Sequence, residues 1–465
     1  MFGRKVIFSS ETEITRDNLI EVLQDAFPIH QQNSRDIDYL YNYYRGDQPI
    51  LNRQKDIRPE INNKIVENHA MEIVDFKKGY VFGEPIQYVR RGDGNDVSEK
   101  INQLNEFMIA VDKAANDNEL AEWFYIGGTG YRMVLPSGDG EDSPFEIDVL
   151  DPRYTFVVYN NGFGKKPLMG VKYIQTRDDD LLFSVYTPYE YFEVKKDKKT
   201  WGVTEQTSHA LGDIPIIEYP ANNSRLGAFE VVLGLLNALN DTISNRMDGI
   251  EQFVQAFMKF VNCDIDEELF TALKEMGAIK IKGEPGNPAD VDIVSSELDQ
   301  SQTQVTKDDI YQMVLIICGM PDRNGANRTT GDTGQAVILR DGWSAAESRA
   351  RDSELIFKSS EKRFLRMILR IVKDMVDLDL KLSDIDIKFT RNRTDNLLVK
   401  TQGLQNQLEA GIHPQVAISN VGLYSDPEQV YLDSLPYLEK WLTAKATATP
   451  GNNKPNPDKG GETGD

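Results

Sequence analysis

The spacing of apolar positions changes character twice along the chain. Up to residue 126 it is helical. Leu19, Ile20, Leu23 and Phe27 recur at the separations of one helix face. The stretch 35–51, RDIDYLYNYYRGDQPIL, predicts an aromatic helix stopped by Gly46 and Pro49. Residues 62–88 predict another helix with Ile65, His69, Ile73 and Phe76 on one face. It is expected to end at Gly79, ahead of a short strand, PIQYV. Two further helical patterns surround Leu104 and Trp123. From Gly127 onward apolar residues gather in short runs instead: YRMVL, FEIDVL, YTFVVY, LMGVKYIQ, LLFSVY, EYFEV and WGVTEQ. Clusters of Gly, Asn, Asp and Pro separate them. That pattern predicts an antiparallel meander over about 128–219.

At Ser224 the helical period returns. Leu236, Ile243, Met247, Ile250, Val254, Phe257 and Val261 form a coiled-coil-like seam. One helix over 225–262 would be about 57 Å long. Residues 263–300 read as a small insert: a short helix (EELFTALKEM), a strand (AIKIKG), a turn (EPGNP) and a strand (DVDIVS). A helix over 302–319 is expected to end at Gly319-Met320-Pro321, followed by the polar loop DRNGANRTTGDT. The longest pattern runs from Gly334 to about Leu378, with Gly342 inside it as a kink. A strand (DIDIKFT) and three shorter helices reach Leu442. The stretch ATATPGNNKPNPDKGGETGD then has the composition of a disordered tail. No internal repeat is found. Helices this long, with such seams, usually pack against other subunits. The pattern therefore points to an elongated α+β subunit of an oligomer.

Composition narrows the function. The 465 residues suggest about three domains. The formal net charge of −22 excludes a basic wrapper that holds nucleic acid by neutralising phosphates. It does not exclude a protein that lets DNA pass. Two cysteines, Cys263 and Cys318, exclude a disulfide scaffold and suggest a reducing compartment. The apolar run MVLIIC (313–318) is far shorter than the roughly 20 residues of a membrane span. The N-terminus has no apolar stretch of signal-peptide length, so a soluble intracellular product without membrane contact is expected.

Several motifs resemble catalytic ones and are discounted. Asp180 with Glu193 and Lys195 has the spacing of a D…ExK metal-dependent nuclease. Glu193 and Lys195 also simply alternate on one hairpin face, and short acidic patterns arise by chance. The segment NGFGKK (161–166) lacks the spacing of a phosphate loop and reads as a turn. GGTG (127–130) has no strand before it and no helix after it, so it is not a dinucleotide site. In GDGEDSPFEID (138–148) Pro144 stands where a calcium loop needs Gly. The four His lack ligand spacing, and His69 is expected to be a satisfied core residue. The cysteines are read as small reduced hydrophobes. The basic, apolar segment 358–373 is read as packed, with Phe364, Ile368, Ile371 and Met375 continuing a helix seam. No cofactor, metal site or enzyme activity is expected.

The chain resembles a phage portal protein, the head-to-tail connector of long-tailed phages infecting Gram-positive hosts. The resemblance rests on YNYYRGDQPIL (41–51), NNKIVENHAMEIVDFKKGYVFGEPIQY (62–88), DVLDPRYTFVVYNN (148–161), GDIPIIEYPANNSR (212–225), LNALNDTISNRMDGIEQF (236–253) and GMPDRNGANRTTGDTGQAVILR (319–340), in that order. It implies an elongated α+β subunit assembled as a ring. Under it, 1–27 is an N-terminal segment and 28–224 an α/β wing, with the meander at 128–219. Residues 225–262 and 301–320 are stem helices, 263–300 a small α/β clip and 321–333 a tunnel loop. Residues 334–394 are a long kinked helix with a wing strand, 395–442 a helical crown and 443–465 a disordered tail.

The resemblance further implies a ring of twelve copies, or thirteen when the chain is expressed alone, at one capsid vertex. Double-stranded DNA is packaged and ejected through it without sequence specificity. Terminase, a head-completion or adaptor protein, and major capsid and scaffolding proteins are the implied partners. The virion is the implied location, with the host cytoplasm during assembly. Arg323, Asn324, Asn327 and Arg328 of the tunnel loop are candidates to face DNA. Glu267, Glu268, Lys274, Lys280 and Lys282 are candidates for the clip docking surface. Residues 263–300 hold ten acids and three bases, so that segment would repel phosphates.

Overall fold

A computed structural model describes residues 3–56, 58–91, 95–138, 141–198, 200–254, 257–261, 290–294, 300–322, 342–390, 397–424 and 427–447. It divides into two units, 1–392 and 393–465.

In the first unit helix α1 (Leu19–Tyr44) is a single helix that runs through residues 27 and 28. The sequence pattern had suggested two helices and a segment boundary there. Pro28 lies inside α1 without ending it. The helix serves two cores, which explains its broken pattern. Leu19, Leu23 and Phe27 pack under a large sheet, whereas Leu40, Tyr43 and Tyr44 join a helical core.

The expected single meander is two sheets. Strands β1 (Ile7–Ser9), β5 (Thr155–Asn160), β6 (Pro167–Gln175), β7 (Leu181–Tyr186), β8 (Glu190–Lys196) and β9 (Trp201–Ser208) pair in that order. Only β1 is parallel to its neighbour. Strands β3 (Thr129–Pro136), β4 (Phe145–Leu150) and β10 (Ile216–Pro220) form the second sheet, in the order β10-β3-β4. The chain thus leaves the small sheet at Leu150, builds the large one, and returns to pair β10 with β3. Tyr131, Leu150, Val157, Ile214 and Ile216 fill the space between the sheets.

Helices α2 (His69–Phe82), α3 (Asn95–Ala110), α4 (Lys113–Gly127) and α7 (Trp343–Val376) share the main core with the small sheet. Strand β2 (Gln87–Arg90) pairs antiparallel with β13 (Ile385–Lys388). A fully buried charge network locks these parts together. Lys113 contacts Asp117 at 2.6 Å and Glu361 at 2.9 Å, and Arg132 bonds to Asp117 and lies 3.4 Å from Glu361. Tyr88 and Tyr219 donate their hydroxyls to Glu361. Burial would raise the Glu361 pKa, but the charges of Lys113 and Arg132 outweigh it and hold the carboxyl below its ordinary value. Two cations and two carboxylates leave the cluster formally neutral, the condition under which buried charge is tolerable.

In the second unit α8 (Leu397–Glu409), α9 (Pro414–Val421) and α10 (Pro427–Thr447) follow one another; α10 runs past Leu442 to Thr447, so residues 443–447, expected to begin a disordered tail, continue the helix.

Candidate functional site

Helix α5 (Leu233–Val254) carries the first part of the long seam and packs beside α6 (Gln300–Cys318), and here the structure departs most from the sequence pattern. The helix read over 225–262 is 22 residues, about 33 Å. Phe257 and Val261 belong to strand β11 (Phe257–Val261), antiparallel to β12 (Asp290–Val294).

The face of α5 that packs inward coincides with the apolar seam only at Leu236. It carries Leu236, Asn240, Ser244 and Asp248, and the last three are polar and buried. They hold residues 62–68, which are an extended strap and not the start of a helix. Asn63 N–H donates to Asp248 at 2.7 Å, Ile65 N–H to Ser244 Oγ at 3.0 Å, and Glu67 N–H to Asn240 at 2.8 Å. The match is geometric. Two residues of extended chain advance about 6.6 Å, and four residues of helix about 6 Å. Every second backbone N–H of the strap therefore meets every fourth side chain of α5. Lys55 and Arg53 close the far end on Asp248, at 2.6 and 3.2 Å. Burial acts to raise the Asp248 pKa, but the bonds from Lys55 and Asn63 hold it below the usual value.

The strap ends at His69, which is not the core residue the pattern suggested. Its Nδ1 lies 2.8 Å from Glu72 and its Nε2 3.2 Å from Glu67. Its ring packs on Tyr311 with centroids 4.6 Å apart. Lys307 of α6 reaches Glu67 at 2.6 Å, and the Tyr311 hydroxyl donates to Glu72 at 3.0 Å. Burial would lower the His69 pKa, but the two carboxylates push it up to about 9. This clasp ties α2 to α6. The sequence offered only a signal too weak to use, a polar residue every fourth position from Asn240.

With the strap on one face, the apolar seam of α5 is left open, and Met247 and Ile250 are exposed. Helix α6 also has two apolar faces. Val314, Leu315 and Cys318 are buried, while Val305, Met313, Ile316 and Ile317 are exposed, Ile316 at 75%. At 100° per residue these four fall within about 120° of arc. The helix stops as expected: Gly319 has φ +65, its N–H donates to Ile316 O, and Met320 N–H donates to Leu315 O. Lys77 caps the Cys318 carbonyl at 2.8 Å. Burial pushes the Cys318 thiol up to about 11, consistent with an unreactive apolar role.

The candidate nuclease residues do not form a site. Lys195 pairs with Asp180 at 2.9 Å, while Glu193 accepts from Thr204 at 2.7 Å. Glu193 sits opposite Ser184, four residues along β7 from Asp180, about 13 Å. One ion cannot bridge that distance. Among the described residues no group of His, Cys, Asp and Glu is arranged to hold a metal, and no helix is long and apolar enough to cross a membrane. NGFGKK turns from β5 to β6, with Gly164 and Lys165 at positive φ. GGTG ends α4 at Gly127 and opens β3 at Thr129. In 358–373 Phe364, Ile368 and Ile371 are buried, but Met375 just beyond them is exposed. Gly342 has φ +84 and stands at the N-terminal boundary of α7, outside the helix it was expected to kink. Arg323, Asn324, Asn327 and Arg328, and Glu267, Glu268, Lys274, Lys280, Lys282 and Cys263, lie outside the described residues.

The family model for phage portal proteins of the SPP1 Gp6-like type matches residues 24–450. The chain belongs to that family. No curated protein matches it. Similar solved structures come from gene transfer agent particles. A chain in the neck of an empty particle computed with C6 symmetry is 12% identical, with a TM-score of 0.47, covering 76% of this chain and 90% of that one. A chain in the virion of a native particle is also 12% identical, with a TM-score of 0.47, covering 84% and 94%. As a portal protein the chain is a structural component of the capsid vertex and a head-to-tail connector, and the nuclease reading finds no support.

Proposed function

We propose that copies of this portal protein close into a ring, most simply of twelve, through which double-stranded DNA is packaged and later leaves. The observation that carries this reading is the open apolar face on α5 and α6. A single chain gains nothing by displaying Met313 and Ile316 to water, whereas a neighbouring copy would bury them. A contact between two different faces, repeated about an axis, closes a ring. In this reading α5 and α6 are the stem, and 263–300 is the clip that docks terminase and then a head-completion protein. The scaffold and major capsid proteins surround the ring, assembly takes place in the cytoplasm, and the host is Gram-positive. The tunnel loop, with Arg323, Asn324, Asn327 and Arg328, touches passing phosphates weakly enough to let them slide.

Electron microscopy of the purified chain tests the ring. Particles with a central hole are expected, and a monodisperse monomer at micromolar concentration would reject the reading. For the loop, replacing Arg323 and Arg328 by Glu should leave the ring intact and shorten the DNA packaged per prohead. Full-length packaging by that ring would show the loop to be only a connector.

A further inference from the structure

Helix α7 carries a cationic ridge that the functions above do not use. Between 358 and 373 it has six Lys and Arg and one acid, in a chain of net charge −22. That acid, Glu361, faces inward and is neutralised in the buried network. Lys358, Lys362, Arg366, Arg370 and Lys373 fall within about 120° of arc, over roughly 22 Å of helix. Arg370 is held by the Leu211 carbonyl and Lys373 by Asp379. Lys362 and Arg366 are exposed, and neither has an ion-pair partner among the described residues. The ridge is self-repelling. Burial and then the charges of Lys388 and Lys362 lower the Lys358 pKa, against the opposing pull of Asp386.

An anionic counterpart lies on other elements. Glu119 of α4 stands near Asp148 of β4 and Glu122, at an open groove of about 520 Å³ that Phe82 and Pro85 also line. Glu122 is matched by Lys78 at 2.6 Å, but no cation pairs with Glu119 or Asp148 among the described residues. Burial, Asp148 and Glu122 together raise the Glu119 pKa. No ion pair joins this cluster to the ridge among the described residues.

We propose that the α7 ridge is the docking surface for a second copy of this chain, which meets it head to tail with the cluster around Glu119 and Asp148. The charge distribution favours this occupant. Each cluster is costly alone, and one contact relieves both. A two-fold contact of either cluster with itself would set like charge against like, so the pairing is heterologous, the kind that closes rings. The inference rests on the ring reading and adds a second, electrostatic joint to the apolar one on α5 and α6.

The test uses full-length chain. Lys362→Glu with Arg366→Glu, and separately Glu119→Lys with Asp148→Lys, change only exposed side chains and should leave the circular dichroism spectrum unchanged. Each pair of changes should weaken assembly at low salt by at least about tenfold, since like charges then face each other. The chain carrying all four changes should assemble again. In chains with Arg366→Cys and Glu119→Cys, oxidation should give a ladder of disulfide-linked oligomers. The proposal is overturned if the Lys362→Glu, Arg366→Glu chain assembles as wild type, or if the four-fold variant fails to recover while folded. It is also overturned if the Lys362→Glu, Arg366→Glu chain keeps its rings but loses binding to a 30-base-pair duplex, which would assign the ridge to nucleic acid. Absence of any wild-type oligomer would overturn the ring reading as well, whereas intact rings with indifferent charge variants would overturn this inference alone.

Discussion

His69 shows how one side chain can set a pH dependence. Its folded pKa of about 9 lies above the ordinary 6.5 because Glu67 and Glu72 bracket it. A group whose pKa rises on folding stabilises the fold fully below its unfolded pKa and loses that contribution as pH climbs through the folded one. The clasp between α2 and α6 should therefore weaken from about pH 6.5 to 9. Thermal unfolding midpoints across that range should fall in the wild type and flatten in His69→Gln. An equal slope in both would show that the ring is not protonated in the fold. His30 is the contrasting case. Burial against Phe156 lowers its pKa to about 4, although its Nε2 lies 3.1 Å from the Arg153 carbonyl oxygen. The same residue type takes opposite charge states because one site offers two carboxylates and the other a single carbonyl.

At the scale of elements, the strap and α5 form one unit. Ser244 is fully buried and accepts the Ile65 N–H. Ser244→Ala removes only the hydroxyl oxygen and leaves that N–H without its partner, at a cost of about 1–3 kcal/mol. We expect a lower unfolding midpoint and faster hydrogen exchange at the Ile65 amide, both restored by Ser244→Thr. Unchanged exchange would mean that the ladder is not what fixes the strap. The junction from α4 to β3 is equally constrained. Gly128 has φ +80, and a Cβ there would lie 2.0 Å from the Arg225 carbonyl oxygen, so only glycine fits.

For the whole molecule, the deciding feature is apolar surface that the subunit leaves uncovered. Met313→Asp with Ile316→Asp alters residues that are 52% and 75% exposed, so the isolated subunit should fold normally. Placed in a buried joint, two new carboxylates would each cost several kcal/mol. Sedimentation should show a folded monomer in place of the ring. A ring with wild-type stability would place these residues away from any contact.

The sequence alone determined the alternation of helical and extended segments, the end of α6 at Gly319 and the family resemblance. These depend on local periodicity, on backbone conformations that glycine permits, and on motif order. Tertiary structure decided the rest. Which of two apolar stripes turns inward depends on what packs there, and on α5 the inward place is taken by the strap, held by Asn240, Ser244 and Asp248. The pairing of β10 with β3 and not with β9 is likewise non-local, as is the division of α1 between two cores. A residue's period shows that a face exists, but its burial is an energy shared with partners elsewhere in the chain. In the proposed ring, the partner for the exposed apolar face of α5 and α6 is another copy of the chain.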